Sequence, residues 1–114
     1  MSEEPTRQVC EACKPGSPTV TEAEKSSYLP QIPAWHITSY KGVDHLERIF
    51  SFKNFADALA FTNRVGALAE QEQHHPTLLT EWGKVKVSWW THAINGLHKN
   101  DLIMAAKTDQ LYSS

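Results

Sequence analysis

Three of the six histidines lie where the chain passes from one kind of element to another. His74 and His75 end a long helical pattern directly before Pro76, and His92 is predicted to lie at the end of the last strand. Proline disfavours helical backbone in the residue before it, so we expect His75 in extended geometry. Because imidazole can donate or accept a proton near neutral pH, this arrangement favours general acid–base chemistry. The remaining histidines are expected on the surface or in satisfied packing: His36, His45 and His98.

Metal binding is the weaker interpretation of the clustered histidines. Adjacent imidazoles at a helix exit point in different directions, whereas the two histidines of a zinc-protease helix lie one turn apart on one face. Cys10 and Cys13 are half of a zinc site, and no second pair of cysteine or histidine follows at finger-like spacing. We expect two inert thiols in a loose arm, and the alternatives are redox chemistry or a metal shared between subunits.

Hydrophobic periods predict the elements that must position these histidines. Residues 1–20 are polar, rich in proline and without a period, which predicts a flexible arm before a folded domain over residues 21–114. A capping-box sequence that begins at Thr21 predicts a short helix over 22–29. The segments that follow predict strands over 35–40 and 45–52, a helix over 55–73, strands over 77–82 and 84–89, and a helix over 100–112.

These elements, in the order α-β-β-α-β-β-α, predict an α+β fold. Two hairpins separated by a long helix give a four-stranded antiparallel sheet, and the helices would cover its apolar face in a two-layer sandwich. The period of the second strand is imperfect, because Arg48 falls on the same face as Leu46 and Phe50.

Charge and hydropathy exclude several classes of protein. The chain has 114 residues, with 11 Lys and Arg against 13 Asp and Glu and a net charge of −2. It lacks the basic stripe that nucleic acid or an anionic membrane would require, so neither is expected as a direct partner. No run approaches the roughly 18 apolar residues of a membrane span, and the chain begins with an acidic segment where a signal peptide would be basic. The expected location is the cytoplasm.

Seven positions carry the motif of a known family. The motif is an acidic residue, three residues and His-His-Pro, followed at set distances by an aromatic residue, a histidine and an aspartate. The corresponding residues here are Glu70, His74, His75, Pro76, Trp82, His92 and Asp101. The chain therefore resembles the pterin-4a-carbinolamine dehydratases, whose fold is the same α+β sandwich. Further likeness from Trp35 onwards extends the resemblance to about residues 28–112.

The resemblance implies dehydration of 4a-hydroxytetrahydrobiopterin to quinonoid dihydrobiopterin, without a metal or redox cofactor. This reaction recycles the pterin that an aromatic amino acid hydroxylase has used, and a homodimer or homotetramer is implied as well. By position, His74 and His92 match the family's acid–base pair. His75 and Pro76 match residues that hold the substrate, and we assign Thr91 to substrate binding with them.

Three further candidate site residues each keep two interpretations. Glu70, one helical turn before His74, could orient that imidazole or contact the pterin ring. Asp101, in the first turn of the last helix, could favour the helix dipole or orient a catalytic histidine. Trp35, like Trp82, could form a wall of the pterin site or belong to the core.

Two positions depart from the better-known animal members of the family. Leu78 stands in place of an aromatic residue, and Trp90 stands in place of a small hydroxyl residue before Thr91. Both changes could reshape the pocket and alter the preference for the pterin side chain. The alternatives to the enzyme are a non-catalytic pterin-binding module, including an accessory in molybdopterin metabolism, and a dimerisation cofactor of a transcription factor.

Overall fold

The computed structural model describes residues 19–113 and contains the predicted elements in the predicted order. The elements are α1 (Glu22–Tyr28), β1 (His36–Tyr40), β2 (Val43–Ser51), α2 (Phe55–Glu72), β3 (Thr77–Glu81), β4 (Lys84–Trp89) and α3 (Lys99–Ser113), with 3₁₀ turns at Leu29–Gln31 and His92–Ile94. Thr21 and Glu24 form the predicted capping box at the start of α1. The predicted α+β fold is confirmed.

The four strands form one antiparallel sheet in the order β1-β2-β4-β3. The two hairpins meet where β2 pairs with β4, which places Leu46 opposite Trp89 and Phe50 opposite Val85. These side chains are fully buried, and α2 and α3 pack against the strands that carry them. One face of the sheet therefore holds the core, and we call the other the open face.

The long helix α2 follows the predicted amphipathic period. The Asn54 side chain caps it by accepting the backbone N–H of Asp57 at 2.7 Å. The buried side chains recur at helical spacing: Ala58, Phe61, Val65 and Ala69. This face of the helix packs on the core. The C-terminal end of the helix then leads into β3 through the short segment 73–76.

Arg48 explains the imperfect period of β2. Its guanidinium donates to the carboxylate of Asp109 on α3 at 2.7 Å. The same guanidinium lies over the rings of Phe50 and Tyr112, and the Trp35 indole N–H donates to the same carboxylate at 2.8 Å. A cation is accommodated at the margin of the core because its charge is paired and its stem packs on apolar surface.

The first hairpin is tighter than predicted, and β2 begins at Val43 instead of position 45. Lys41 and Gly42 both have positive φ, at 52° and 82°. A two-residue turn of this kind matches the twist of the strands it joins, and it lets Tyr40 pair directly with Val43. The turn therefore takes up only half of the segment that the sequence had suggested.

His92 lies beyond the last strand, so its predicted place at the strand end is wrong. β4 ends at Trp89, and Thr91 then forms an isolated bridge in which its N–H donates to the Gly96 carbonyl at 2.9 Å. Asn95, with φ of 49°, reverses the chain within this bridge. His92 opens the 3₁₀ turn that the bridge encloses, on a short loop between β4 and α3.

Most of the predicted arm over residues 1–20, with Cys10 and Cys13, lies outside the described residues. Within the described part, the Val20 backbone N–H donates to the Leu97 carbonyl at 2.8 Å. None of the helices in residues 19–113 has the length and apolar character that crossing a bilayer requires.

Candidate active site

The C-terminal end of α2 sends two neighbouring histidines in different directions. Gln73 adopts the left-handed conformation, with φ of 53°, and its N–H donates back to carbonyls of the last helical turn. A left-handed residue ends a helix because it turns the following chain out of the helical path. As a result His74 is buried, whereas His75 is exposed.

His74 is packed on the core and bonded to a buried carboxylate. Its side chain is 9% exposed, and its Nε2 lies 2.6 Å from Oδ1 of Asp101. The imidazole stacks on the Trp89 indole, with ring centroids 5.7 Å apart and planes inclined by 10°. The ring is therefore held both by its face and by one edge.

Asp101 is fully buried in the first turn of α3. Oδ1 faces His74, while Oδ2 accepts the Thr91 hydroxyl at 2.8 Å and the His98 backbone N–H at 2.9 Å. The bond from His98 is one of the two bonds of a capping box, in which the N-cap backbone N–H donates to the acidic side chain three residues later. Both interpretations of Asp101 therefore fit its contacts. It caps the start of α3, and it also contacts a candidate catalytic histidine.

His98 is buried and satisfied, as predicted for it. Its Nδ1 accepts the backbone N–H of Asn100 at 3.0 Å, which caps the start of α3. Its backbone N–H donates to Asp101, a contact that was not predicted from the sequence. The available signal was the spacing, because an acidic residue three positions after a helix cap often reaches back to it.

The contact with Asp101 assigns the hydrogen of the His74 ring. A carboxylate only accepts hydrogen bonds, so Nε2 carries the hydrogen and the lone pair of the neutral ring is on Nδ1. The pair formed by Asp101 and His74 can therefore act as a general base.

Glu70 contacts His75 at the rim, through its Oε2 and the Nε2 of the imidazole. These two side chains are 73% and 54% exposed. The structure thus does not place Glu70 against His74, because the left-handed Gln73 turns His74 inward to Asp101. Neither interpretation of Glu70 is seen directly, because its observed contact is with the His75 imidazole.

His92 approaches the same region from the loop after β4. It is exposed, and its ring contacts the Trp90 indole, with centroids 3.9 Å apart. Trp90 in turn stacks on His45, with centroids 4.7 Å apart and planes inclined by 12°. Burial lowers the pKa of His45 below its ordinary value of 6.5, and the nearby Glu47 carboxylate offsets only part of that effect, while His92 adds to it.

One cavity of about 360 Å³ is lined by half of the candidate residues. Its lining consists of Gln73, His74, His75, Thr91, His92 and Ala93. This volume lies in the range of small-molecule sites. Four of the lining residues were predicted, and Asp101 lies directly behind His74. Gln73 and Ala93 were missed, and their only signal is that each is the sequence neighbour of a candidate histidine.

Four residues that the sequence linked to the substrate lie outside this lining, and one of them is Glu70, which contacts His75. Trp35 is 5% exposed and packs edge-on against Phe50, with centroids 5.8 Å apart, so it belongs to the core. Trp82 is 72% exposed at the turn between β3 and β4. Pro76 follows His75 and separates the helix exit from β3, so its contribution is to the path of the chain.

A second cavity, of about 300 Å³, lies on the open face of the sheet. His36 is the histidine in its lining, where it accompanies Glu47 and Lys86. The cavity at the end of α2 is lined by three imidazoles and this one by a single imidazole, so the first is the better candidate for acid–base chemistry. Among the described residues, no cluster of three or more His, Cys, Asp or Glu has an arrangement that could hold a metal ion.

Comparisons with known proteins place this chain in a family. The sequence model for pterin 4 alpha carbinolamine dehydratase matches residues 18–111. Two curated relatives bear the name "Putative pterin-4-alpha-carbinolamine dehydratase". The protein from Marinobacter nauticus is 56% identical over 106 residues, which cover 93% of this chain and 96% of the relative. The protein from Syntrophotalea carbinolica is 58% identical over 106 residues, which cover 93% of this chain and 95% of the relative.

A solved structure agrees with these relatives. The crystal structure of a transcriptional coactivator/pterin dehydratase from Brucella melitensis superposes with a TM-score of 0.71 at 30% identity. The match covers 82% of this chain and 98% of that one. With the residues from Glu70 to Asp101 inside the matched region, these comparisons show that the chain belongs to the pterin-4a-carbinolamine dehydratase family.

Proposed function

We propose that the protein dehydrates 4a-hydroxytetrahydrobiopterin to quinonoid dihydrobiopterin and water by histidine acid–base catalysis. The observation that carries this proposal is that His74 and His92, from different elements, line one cavity of about 360 Å³. Membership in the dehydratase family supports the same class of reaction.

The reaction requires two proton transfers. The hydroxyl group on C4a receives a proton and leaves as water, and the C–O bond breaks in this step. The neighbouring ring nitrogen loses its hydrogen and supplies the electron pair that forms the C=N bond. One side chain must therefore donate near the hydroxyl and another must accept near the ring N–H.

The surroundings of the two histidines suit these roles. His74 is suited to accept, because Asp101 holds the hydrogen of Nε2 and leaves the lone pair on Nδ1. His92 is exposed and can exchange protons with water, so it can donate to the departing hydroxyl. The carbinolamine has two diastereomers, and the roles of the two imidazoles exchange with the face that reacts.

The rim residues would hold the substrate. His75 lines the cavity and would present its imidazole to a flat heterocycle. Glu70 lies outside the lining, contacts the His75 imidazole and would hold it in place. Thr91 also lines the cavity, but its hydroxyl donates to Asp101. We therefore assign Thr91 to support of the Asp101 carboxylate, with contact to the pterin through its remaining surface.

Separate substitutions of the three histidines test these roles. His74→Ala and His92→Ala should each lower kcat by roughly 10²–10⁴-fold with less effect on KM, because proton transfer develops in the transition state. His75→Ala should raise KM more than it lowers kcat, since a holding group acts on the bound ground state as well. The assay is stopped-flow loss of enzymatically generated 4a-hydroxytetrahydropterin, with each diastereomer followed.

His36→Ala is the matched control, because His36 is an exposed histidine on β1, outside the lining of the site cavity. It should keep wild-type kcat and KM. The double variant His74→Ala/His92→Ala should be nearly inactive on both diastereomers. Near wild-type turnover by a folded double variant would show that these imidazoles do not catalyse the reaction.

We also propose that the reaction needs no metal or redox cofactor, since proton transfers alone balance it. The purified protein should therefore keep its activity in EDTA. Loss of activity in the chelator with recovery on addition of zinc would assign the histidines to metal binding instead.

In the cell, we propose a cytoplasmic homodimer or homotetramer that recycles pterin for an aromatic amino acid hydroxylase. The edge strands β1 and β3 leave backbone groups available for self-association. The name of the Brucella melitensis relative adds a second candidate, a transcriptional cofactor. A partner-binding role alone would leave purified protein without dehydratase activity, and the stopped-flow assay separates the two.

A further inference from the structure

We propose that Trp90 is a positioning residue that orients the His92 imidazole for proton transfer. The expected effect of Trp90 on kcat rests on the proposed function, whereas the orientation of the imidazole does not. Trp90 stands where the better-known animal members have a small hydroxyl residue before Thr91, and it is not one of the seven motif positions.

The support for His92 comes from ring contact. Its side chain stands on a short 3₁₀ turn and is exposed, and no hydrogen bond to its imidazole is found within residues 19–113. The Trp90 indole lies against it, with centroids 3.9 Å apart and planes inclined by 32°. An exposed side chain on a loop has several rotamers, and a large flat neighbour at this distance removes some of them.

Trp90 is itself fixed by packing on its other contacts. It stacks on His45, and His45 packs against the Tyr40 ring, with centroids 4.8 Å apart. These four rings, Tyr40, His45, Trp90 and His92, form what we call the aromatic stack. It connects the hairpin β1–β2 to the loop that carries His92, so the position of that loop is tied to the sheet.

Hydrogen bonding does not account for a tryptophan at position 90. The indole Nε1 is buried, and it has no hydrogen-bond partner among the described residues. A buried unpaired N–H lowers stability, so the contribution of Trp90 comes from the area of its ring. Trp90 is also absent from the lining of the site cavity, which indicates that it acts through His92 and not on the substrate.

The stack stays uncharged at its centre near neutral pH. Burial lowers the pKa of His45, while Glu47, Asp44 and Asp101 raise it in part and His92 lowers it further. A neutral His45 stacks on Trp90 without adding a fixed positive charge beside His92, which must gain and lose a proton.

Three substitutions separate ring support from bulk. Trp90→Phe keeps an aromatic face and loses no hydrogen bond, so it should stay near wild type. Trp90→Ser removes the ring, and Trp90→Leu keeps apolar volume without an aromatic face. Both should lower kcat about 10–10²-fold with little change in KM, the size expected when a reacting group is misplaced by about 1 Å. The matched control is Phe55→Ser, because Phe55 is an exposed aromatic residue at the start of α2 with no assigned role in the site.

Nuclear magnetic resonance of the histidines gives a readout independent of activity. The Hα–Hβ couplings of His92 report its χ1 rotamer, and they should become averaged in Trp90→Ser and Trp90→Leu. The His92 couplings should not change in Phe55→Ser, and the His75 couplings should not change in any of these variants. If Trp90→Ser fails to fold, Trp90→Leu carries the test. Unchanged His92 couplings, or averaged couplings with wild-type kcat, would overturn the proposal. If the wild-type protein lacks dehydratase activity, the proposed function fails, and the His92 couplings alone decide whether Trp90 orients the ring.

Discussion

Asp101 is the residue on which the geometry of the candidate site most depends. Its two oxygens face different elements, with Oδ1 at His74 and Oδ2 at Thr91 and the His98 backbone. Because the group is fully buried, no water replaces a contact that is lost. The carboxylate therefore joins the helix exit, the loop after β4 and the start of α3 at one point.

Asp101→Asn should lower kcat about 10²–10⁴-fold, the range for loss of an acid–base group. The amide has nearly the shape of the carboxylate and can still accept from Thr91 and His98. If its NH₂ faces His74, however, Nε2 must become the acceptor, and the lone pair on Nδ1 is lost. The stopped-flow assay measures kcat, and thermal unfolding shows whether the fold is kept.

Asp109→Asn is the control for this prediction. It makes the same substitution in the same helix, at a carboxylate bonded to Trp35 and Arg48 outside the cavity. Stability should fall because a charge-assisted hydrogen bond is weakened, while kcat should stay at the wild-type value. Equal kcat losses in the two variants would mean that Asp101 acts only through stability.

At the scale of elements, the end of α2 decides which histidine enters the core. Gln73 takes a left-handed conformation that costs free energy for any residue with a Cβ, and its amide donates to the Glu70 carbonyl at 2.6 Å. This arrangement turns His74 towards Asp101 and leaves His75 at the rim. A helix that continued for one more residue would rotate both imidazoles away from these positions.

Gln73→Val should destabilise the protein by about 1 kcal/mol, because a β-branched residue is poorly accommodated at positive φ and the amide hydrogen bond is lost. The ratio kcat/KM should fall as well, since both histidines follow directly. Urea unfolding and the stopped-flow assay give the two values. Gln71→Val, at an exposed position inside α2, should cost at most about 0.7 kcal/mol through helix propensity and leave kcat/KM unchanged. Equal effects of the two variants on kcat/KM would contradict the role of the turn.

At the scale of the whole molecule, the sheet is the frame that brings α2 and the loop after β4 together. Glu47 on its open face joins three strands, because it accepts the Ser88 hydroxyl of β4 at 2.6 Å and the Tyr40 hydroxyl of β1 at 2.9 Å. Burial by itself raises the pKa of Glu47, but these hydrogen bonds and the Lys86 charge outweigh it, so the pKa lies below its ordinary value of 4.5.

Glu47→Gln should therefore be less sensitive to acid than the wild type. The folded pKa is below the unfolded one, so the unfolded chain binds more protons and the stabilisation by Glu47 is present above pH 4.5. This contribution is lost as the pH falls below 4.5 towards the folded pKa. Urea unfolding from pH 7 to pH 3 should show the wild type above the variant at neutral pH, and the difference should shrink in acid.

Glu81→Gln is the comparison for this pH series. Glu81 is a half-exposed carboxylate on β3, with an ion pair to Lys84 at 3.4 Å. Surface pairs of this kind contribute little, so its difference from the wild type should be small throughout. If the difference for Glu47→Gln stayed constant down to pH 3, the lowered pKa of Glu47 would be wrong.

Local patterns predicted the elements because burial on one face leaves a period in the sequence. The buried face of α2 and the alternation of Val85, Val87 and Trp89 in β4 are such periods. The order of helices and hairpins then limits the fold to few arrangements. Loop details were less predictable, since the early start of β2 depends on positive φ at Lys41, a residue type with no strong turn preference.

The sequence by itself determined that His74, His75 and His92 are the candidates for chemistry, because residue type and linear spacing carry that information. Only the tertiary structure decided their partners. Asp101 meets His74 across 27 residues because α2 and α3 pack on one face of the same sheet. Glu70 meets His75 instead of His74, and Trp35 enters the core, because side-chain direction depends on turns and on long-range packing that no local pattern encodes.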